Sequence, residues 1–217
     1  AQVRLPNPFQ PITFTVDVND EAEHYARFVV EPLDRGFGIT LGNSLRRVLL
    51  SALPGASIFA VKIEGARHEF TALPGVEEDV TAIILNLKDL VLKIDSTDNE
   101  TKVITVDFKG PGVLKASDLV LPPLVSVVNK DLEIAHLNSE GHLNMTIYAG
   151  QGRGYITSEA NKIERKLNEI GMIATDSNYS PVIKVAFAVE PTRVDHDSKF
   201  DKLTLEVNTN GSIKPHE

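Results

Sequence analysis

The sequence predicts a chain of mixed helices and strands in two parts, one inserted in the other. Three observations lead there. Helical periodicity is strong in only two places, within 31–55 and over 75–90. Short alternating runs fill most of the remainder, and clean strand patterns lie towards both chain ends. A self-contained block of short strands separates those ends, which is the layout of an insertion. Residues 1–54 and 182–217 are therefore expected to form one subdomain and 55–181 the other.

Residues 1–24 read as extended and irregular, with Pro6, Pro8 and Pro11 and an acidic patch from Asp17 to Glu23; Thr13 to Val18 fits a short strand. Arg27 to Glu31 is β-rich and runs into EPLDRGFGITLGNSLRRVLLSALPG, Glu31 to Gly55. That stretch turns through Gly36 and Gly38, which tolerate backbone angles other residues resist. It then becomes a helix ended by Pro54-Gly55. Leu41, Leu45, Val48, Leu49 and Ala52 fall on one stripe, the spacing of a core-facing helix. The opposite face carries Asn43, Arg46 and Arg47 but also Leu50. A helix with a second, mixed apolar and cationic face is expected to have two neighbours.

From Ser57 to Glu64 the period changes to two, predicting a strand. Arg67 to Thr71 is a short extended piece, and Gly75 to Leu90 is the second helix, with Val76, Val80, Ile83, Ile84 and Leu87 on one stripe. Glu77, Glu78 and Asp79 would occupy its first turn and Lys88 its last, matching the helix dipole. Leu90 to Asp95 with Thr101 to Phe108 reads as a hairpin, and so does Leu132 to Leu137 with Leu143 to Tyr148. Leu119 to Val128 is extended and interrupted by Pro122-Pro123. Gly150 to Gly154 reads as a flexible turn. Ser158 to Ile170 reads as a short helix with Ser158 as N-cap. Ile183, Val185, Phe187 and Val189 alternate, as do Leu203, Leu205 and Val207; the polar segment Pro191 to Asp201 is the loop between them, and Asn210-Gly211 is a turn.

Composition excludes several classes. The net charge, 22 minus 30 or −8, opposes generic nucleic-acid affinity. There is no cysteine, hence no disulfide, thiolate zinc site or thiol nucleophile, which fits a reducing cytosol. No apolar run is long enough to span a bilayer as a helix. Ala1 to Gln10 has a charge and prolines where a signal peptide would need an apolar stretch, so none is expected.

The motifs present are equally restrictive. Gly36, Gly38 and Gly42 are spaced G-x-G-x-x-x-G, which is not the dinucleotide fingerprint, and a turn plus a close contact at Gly42 explains them better. An enzyme holding a phosphate ligand at Gly36 to Gly42 is the competing class. His24, His68, His136, His142, His196 and His216 form no metal-binding spacing. The acidic runs Glu77-Glu78-Asp79 and Asp195-His196-Asp197 read as a solvated helical turn and a solvated loop. No nucleophile, base and orienter can be assembled, so no catalytic residue, metal or cofactor is expected. Arg46-Arg47 beside Leu50 is the pattern of an interface anchor.

At these residues the chain resembles the N-terminal domain of bacterial RNA polymerase alpha subunits. The resemblance rests on Glu31 to Gly55, on LPGVEEDVTAIILNLKDL (Leu73 to Leu90) and on GRGY (Gly152 to Tyr155). It extends through YSPV (Tyr179 to Val182) to TRVDHDSKFDKLTLEVNTNGSI (Thr192 to Ile213). These blocks stand in the family's order and cover most of the chain after residue 26. The resemblance implies an α+β domain whose two chain ends make a dimerisation subdomain around an inserted, mostly β subdomain. It implies a non-catalytic homodimer, a subunit of the nucleotidyltransferase complex, on which the beta and beta-prime subunits assemble for transcription. The dimer interface would include Leu41, Leu45, Val48, Leu49 and Ala52. The beta contact would fall on Arg46, Arg47, Leu50 and His68, and the beta-prime contact on Lys88, Val182, Lys184 and Lys202. No nucleic acid, membrane or cofactor contact is implied for this domain, and its compartment is the cytoplasm. The family continues into a last amphipathic helix, a linker and a separate C-terminal domain, so this chain is expected to be a shortened form. The first 20 residues match poorly, and Ser158 to Ile170 diverges.

Overall fold

The computed structural model describes residues 13–17, 24–194 and 197–215. Val18, the acidic patch beyond Asp17, Asp195, His196 and His216 lie outside the described residues, as do the side chains of Asp17 and Asp197. The elements in chain order begin with β1 (Thr13–Asp17), β2 (Tyr25–Asp34), α1 (Phe37–Ser51), β3 (Pro54–Ile63) and α2 (Val80–Lys88). There follow β4 (Leu92–Ile94), β5 (Lys102–Lys109), β6 (Gly112–Lys115), β7 (Val125–Val127), β8 (Glu133–Leu137) and β9 (His142–Arg153). The last are β10 (Tyr155–Ile156), α3 (Ser158–Glu164), β11 (Met172–Ala174), β12 (Ser177–Asn178), β13 (Val182–Val194) and β14 (Asp197–Thr209). The chain divides into two compact units, Ala1–Leu53 with Pro181–Glu217, and Pro54–Ser180.

The first unit is an antiparallel sheet in the order β1-β2-β14-β13 with α1 packed on it. Strands from the two ends of the chain are thus hydrogen-bonded neighbours: β2 and β14 pair from Tyr25↔Asn208 to Asp34↔Phe200. Leu203, Leu205 and Val207 alternate inward as predicted, and Leu205 and Val207 meet Ala26, Phe28, Val182 and Val185. The expected polar loop Pro191 to Asp201 is shorter than the sequence suggests, because β13 and β14 stay paired out to Val194↔Asp197. The alternation starting at Ile183 is also broken. A register shift between Val182 and Lys184 places both Val182 and Val185 in the core and leaves Ile183 66% exposed.

The second unit is built on the antiparallel sheet β11-β3-β9-β5, with three two-stranded pairs, β10-β12, β4-β7 and β6-β8. Two expected hairpins are not formed. The strand before the Ser96 to Glu100 loop pairs with β7, while the strand after it, β5, pairs with β9; likewise β8 pairs with β6, not β9. Sequence adjacency and a polar turn identify strand ends, but the partner is chosen by which faces bury. Here Ile104, Val106, Met145 and Ile147 enter one core with Ile83 and Leu87. β3 departs from simple alternation because Ile58, Phe59, Ala60 and Val61 are all buried, with a bulge at Phe59.

Gly150 to Arg153 is the end of β9 and not a flexible turn. Its glycines leave room for neighbours: a Cβ on Gly152 would come within 2.9 Å of the Tyr179 ring. α3 begins where expected, but Thr157, whose hydroxyl accepts from Ala160 N–H, is the N-cap in place of Ser158. α2 is shorter than the 75–90 pattern. Asp79 caps it by accepting from Ala82 N–H at 2.8 Å, so Glu77 and Glu78 precede the helix instead of filling its first turn. Arg67 to Thr71 forms turns, not an extended piece.

Candidate protein-docking surfaces

α1 is seated by its glycines. Gly36, at φ +87°, opens the helix, and Gly38 and Gly42 are its buried residues. A Cβ on Gly42 would lie 2.5 Å from the Phe187 ring, and one on Gly38 would lie 2.8 Å from Val189. The close contact read from Gly42 is therefore real. Asp201, on β14, accepts from Gly36 N–H at 2.9 Å and from Gly38 N–H at 3.2 Å. A carboxylate of the chain itself thus takes the anion-binding positions at this helix start.

Seating the glycine edge on the sheet rotates the helix from the orientation periodicity suggests. Leu45, Leu49, Leu50 and Leu53 pack against the core, so Leu50 belongs to the inner side and not to the opposite face. Of the predicted inward stripe, Leu41 is half-buried, Val48 is 51% exposed and Ala52 is exposed. Arg46 and Arg47 are both exposed. Arg46 Nε donates to the Val185 carbonyl at 3.4 Å, which holds it at the sheet edge, whereas Arg47 is exposed. α1 therefore presents an apolar flank and a cationic flank to either side of its seated edge.

On β13 and β14 the expected contacts fare differently. Lys184 is exposed and Lys202 half-buried, the latter beside the β14 bulge between Asp201 and Leu203 and opposite Glu190. Val182 is only 5% exposed and sits in the core, so its side chain is not a surface group; Ile183 beside it is.

In the second unit His68 is exposed on the loop between β3 and α2, its Nδ1 accepting from Phe70 N–H at 3.2 Å. The loop is fixed to α2, because Thr81 Oγ1 donates to the Glu69 carbonyl and Val80 N–H to that of Thr71. Lys88, at the other end of α2, donates to Asp176 at 3.0 Å. Asp176 also accepts from the Tyr155 hydroxyl at 2.8 Å and Ser158 N–H at 2.7 Å. The Tyr155 hydrogen bond is the foremost cause holding the Asp176 carboxyl below its usual range, and Lys88 and Ser158 act in the same direction. Neither Asp176 nor Asp201 was marked by the sequence as a site residue; no spacing rule joins Lys88 to a carboxylate 88 positions on.

Glu77, Glu78 and His136 form the metal-capable group among the described residues, with ligand atoms within 4.8 Å of one another. Both Glu78 oxygens are already engaged, one by the His136 N–H at 2.7 Å and the other by its ring Nδ1 at 2.5 Å. Burial opposes the Glu78 charge, but these two bonds outweigh it and lower its carboxyl pKa; Glu78 in turn raises that of the imidazole. Glu78 and His136 are thus partners of each other, and Glu133 lies 3.4 Å from the other ring nitrogen of His136.

A family model described as the RNA polymerase Rpb3/RpoA insert domain matches residues 61–180. The chain belongs to the RNA polymerase alpha-subunit family. It is 51% identical to the DNA-directed RNA polymerase subunit alpha of Carboxydothermus hydrogenoformans, over 96% of this chain and 64% of that protein. It is 52% identical to the subunit of the same name in Oenococcus oeni, over 94% of this chain and 64% of that protein. It is also 52% identical to that of Desulforudis audaxviator, over 89% and 60%. The chain thus spans 60–64% of the length of these alpha relatives. Within this alpha-family chain the matched insert domain falls inside the unit Pro54–Ser180. Among the described residues no helix is long and apolar enough to cross a membrane.

Proposed function

We propose that this alpha-family chain is a non-catalytic assembly platform of a cytoplasmic bacterial RNA polymerase, which homodimerises and recruits the beta and beta-prime subunits for DNA-dependent transcription. Residues 1–54 with 182–217 are the dimerisation subdomain and 55–181 the inserted one. The observation that carries the reading is the state of α1: one edge is seated on its own sheet while an apolar flank and a cationic flank remain outside. A second copy would cover the apolar flank by a self-complementary contact, since a two-fold dimer presents the same patch twice. Leu41, Val48 and Ala52 would meet the partner directly, with Leu45 and Leu49 supporting them from the inner side. Arg46, Arg47 and Leu50, with His68 on the other unit, are the beta contact. Lys88, Lys184 and Lys202 are the beta-prime contact, and Ile183 supplies the apolar surface that the buried Val182 cannot.

The test is capture of beta by the chain and its Arg47→Ala variant. The variant should lose capture while its melting curve stays unchanged; undiminished capture would remove Arg47 from the contact. The competing reading, a phosphate ligand at Gly36 to Gly42, is disfavoured by the Asp201 carboxylate on those N–H groups. Specific nucleotide binding by the isolated chain would revive it.

A further inference from the structure

Three elements of the second unit converge on one carboxylate. Asp176 Oδ2 accepts from Lys88 Nζ, on α2, and from the Tyr155 hydroxyl, on β10; Oδ1 accepts from the Ser158 N–H that opens α3. The Asp176 side chain is 24% exposed and that of Lys88 37%. Tyr155, as a residue, is 60% exposed. The acid is therefore the inner member of the cluster, and the cation and the ring are what a partner would meet.

We infer that Asp176 is a positioning residue of the beta-prime docking surface, which neutralises Lys88 and fixes it beside Tyr155 so that the patch receives an uncharged hydrogen-bonding segment of the partner. The inference rests on the reading of Lys88 as a beta-prime contact. An ammonium has three donors, and Asp176 takes one. A partner carboxylate placed on the remaining two would stand next to the Asp176 carboxylate, whereas a backbone or side-chain carbonyl would meet no second anion. Docking also strips water from whatever it covers. A lone ammonium loses a large hydration energy there, and an ammonium already paired with a carboxylate loses much less. Holding the long lysine side chain in place before docking also removes rotamer freedom that binding would otherwise have to freeze. Beside it, the exposed Tyr155 ring offers a flat apolar face.

The test is beta-prime capture by the chain already assembled with beta, for wild type, Asp176→Asn, Lys88→Met and the double variant. Asp176→Asn should weaken capture by about tenfold or more, the scale for stripping one partner from a covered charge pair. Lys88→Met should also weaken it. The double variant, with neither charge, should capture better than Asp176→Asn alone. A purely structural role for Asp176 predicts the opposite, losses that multiply, and that result overturns the inference. So does full capture by Asp176→Asn while Lys88→Met is impaired, which leaves the contact reading standing. Full capture by Lys88→Met removes the contact reading and the inference together. Should Asp176→Asn not fold, judged by its melting curve, Tyr155→Phe serves instead. It keeps the ring and removes only the tether to Asp176, and unchanged capture overturns the inference.

Discussion

At the scale of single residues, Gly42 shows how little space decides where α1 sits. A methyl there would be 2.5 Å from the Phe187 ring. Alanine is worth about 1 kcal/mol over glycine inside a helix, but overpacking a close contact costs about 1–3 kcal/mol. Gly42→Ala should therefore lower stability by up to about 2 kcal/mol in chemical denaturation, and Phe187→Leu should restore part of the loss. The His136–Glu78 pair makes a second prediction, in pH. Glu78 has a lowered pKa, so its contribution is present above its ordinary value of 4.5 and is lost as pH falls through the lower folded value. His136 has a raised pKa, so its contribution is full below its ordinary value of 6.5 and is lost as pH rises through the folded value. The pair thus stabilises most between 4.5 and 6.5. The melting temperature should fall on the alkaline side of that window, and His136→Gln should flatten the fall. Gly42 was legible beforehand, because a glycine inside an amphipathic helix asks for a packing reason. Asp201 and Asp176 were not, since their partners are brought to them only by the fold.

At the scale of elements, the helix that periodicity finds is present, but periodicity alone misplaces its inner side. It credits Leu41, Val48 and Ala52 with core contacts, because it gives weight to large apolar residues and none to glycine. The seated edge turns out to contain Gly38 and Gly42, and the flank with Val48 faces out. The same limit explains the strands. Alternation located β13 and β14 and the runs now seen as β4, β5, β8 and β9, but the hairpins built from adjacent runs were wrong, since pairing depends on cores assembled from distant segments. Asp201 gives the element-level prediction. It satisfies two N–H groups at the start of α1 from a different strand, so Asp201→Ala should cost about 1–2 kcal/mol, the scale of a lost helix cap. Fraying of the first turn of α1 should show in hydrogen exchange at Gly38 and Ile39.

At the scale of the molecule, the proposed dimer predicts a response at the exposed apolar flank. Val48→Asp should shift the chain from dimer to monomer in light scattering at micromolar concentration while leaving its melting curve nearly unchanged, because Val48 is half open to water in the single chain. A strict monomer for the wild type under the same conditions would show that the flank does not suffice for pairing. The chain divides into two compact units, Ala1–Leu53 with Pro181–Glu217 and Pro54–Ser180; what the sequence offered was strand-rich ends around a self-contained block. The pairing of β2 with β14 gives that division a physical cause, as the last strand of the chain lies between the first strands and β13.

That pairing also sets a timetable. A ribosome releases β2 and α1 early, but the strand that must lie against β2, and the one that carries Phe187 beneath α1, emerge about 150 residues later. The unit Pro54–Ser180 has all its own strands in hand by then and can fold on the way out. α1 therefore waits unseated until β13 and β14 have been made. A chain cut short before β14 would keep a foldable insert yet leave β2 without the neighbour that completes its sheet.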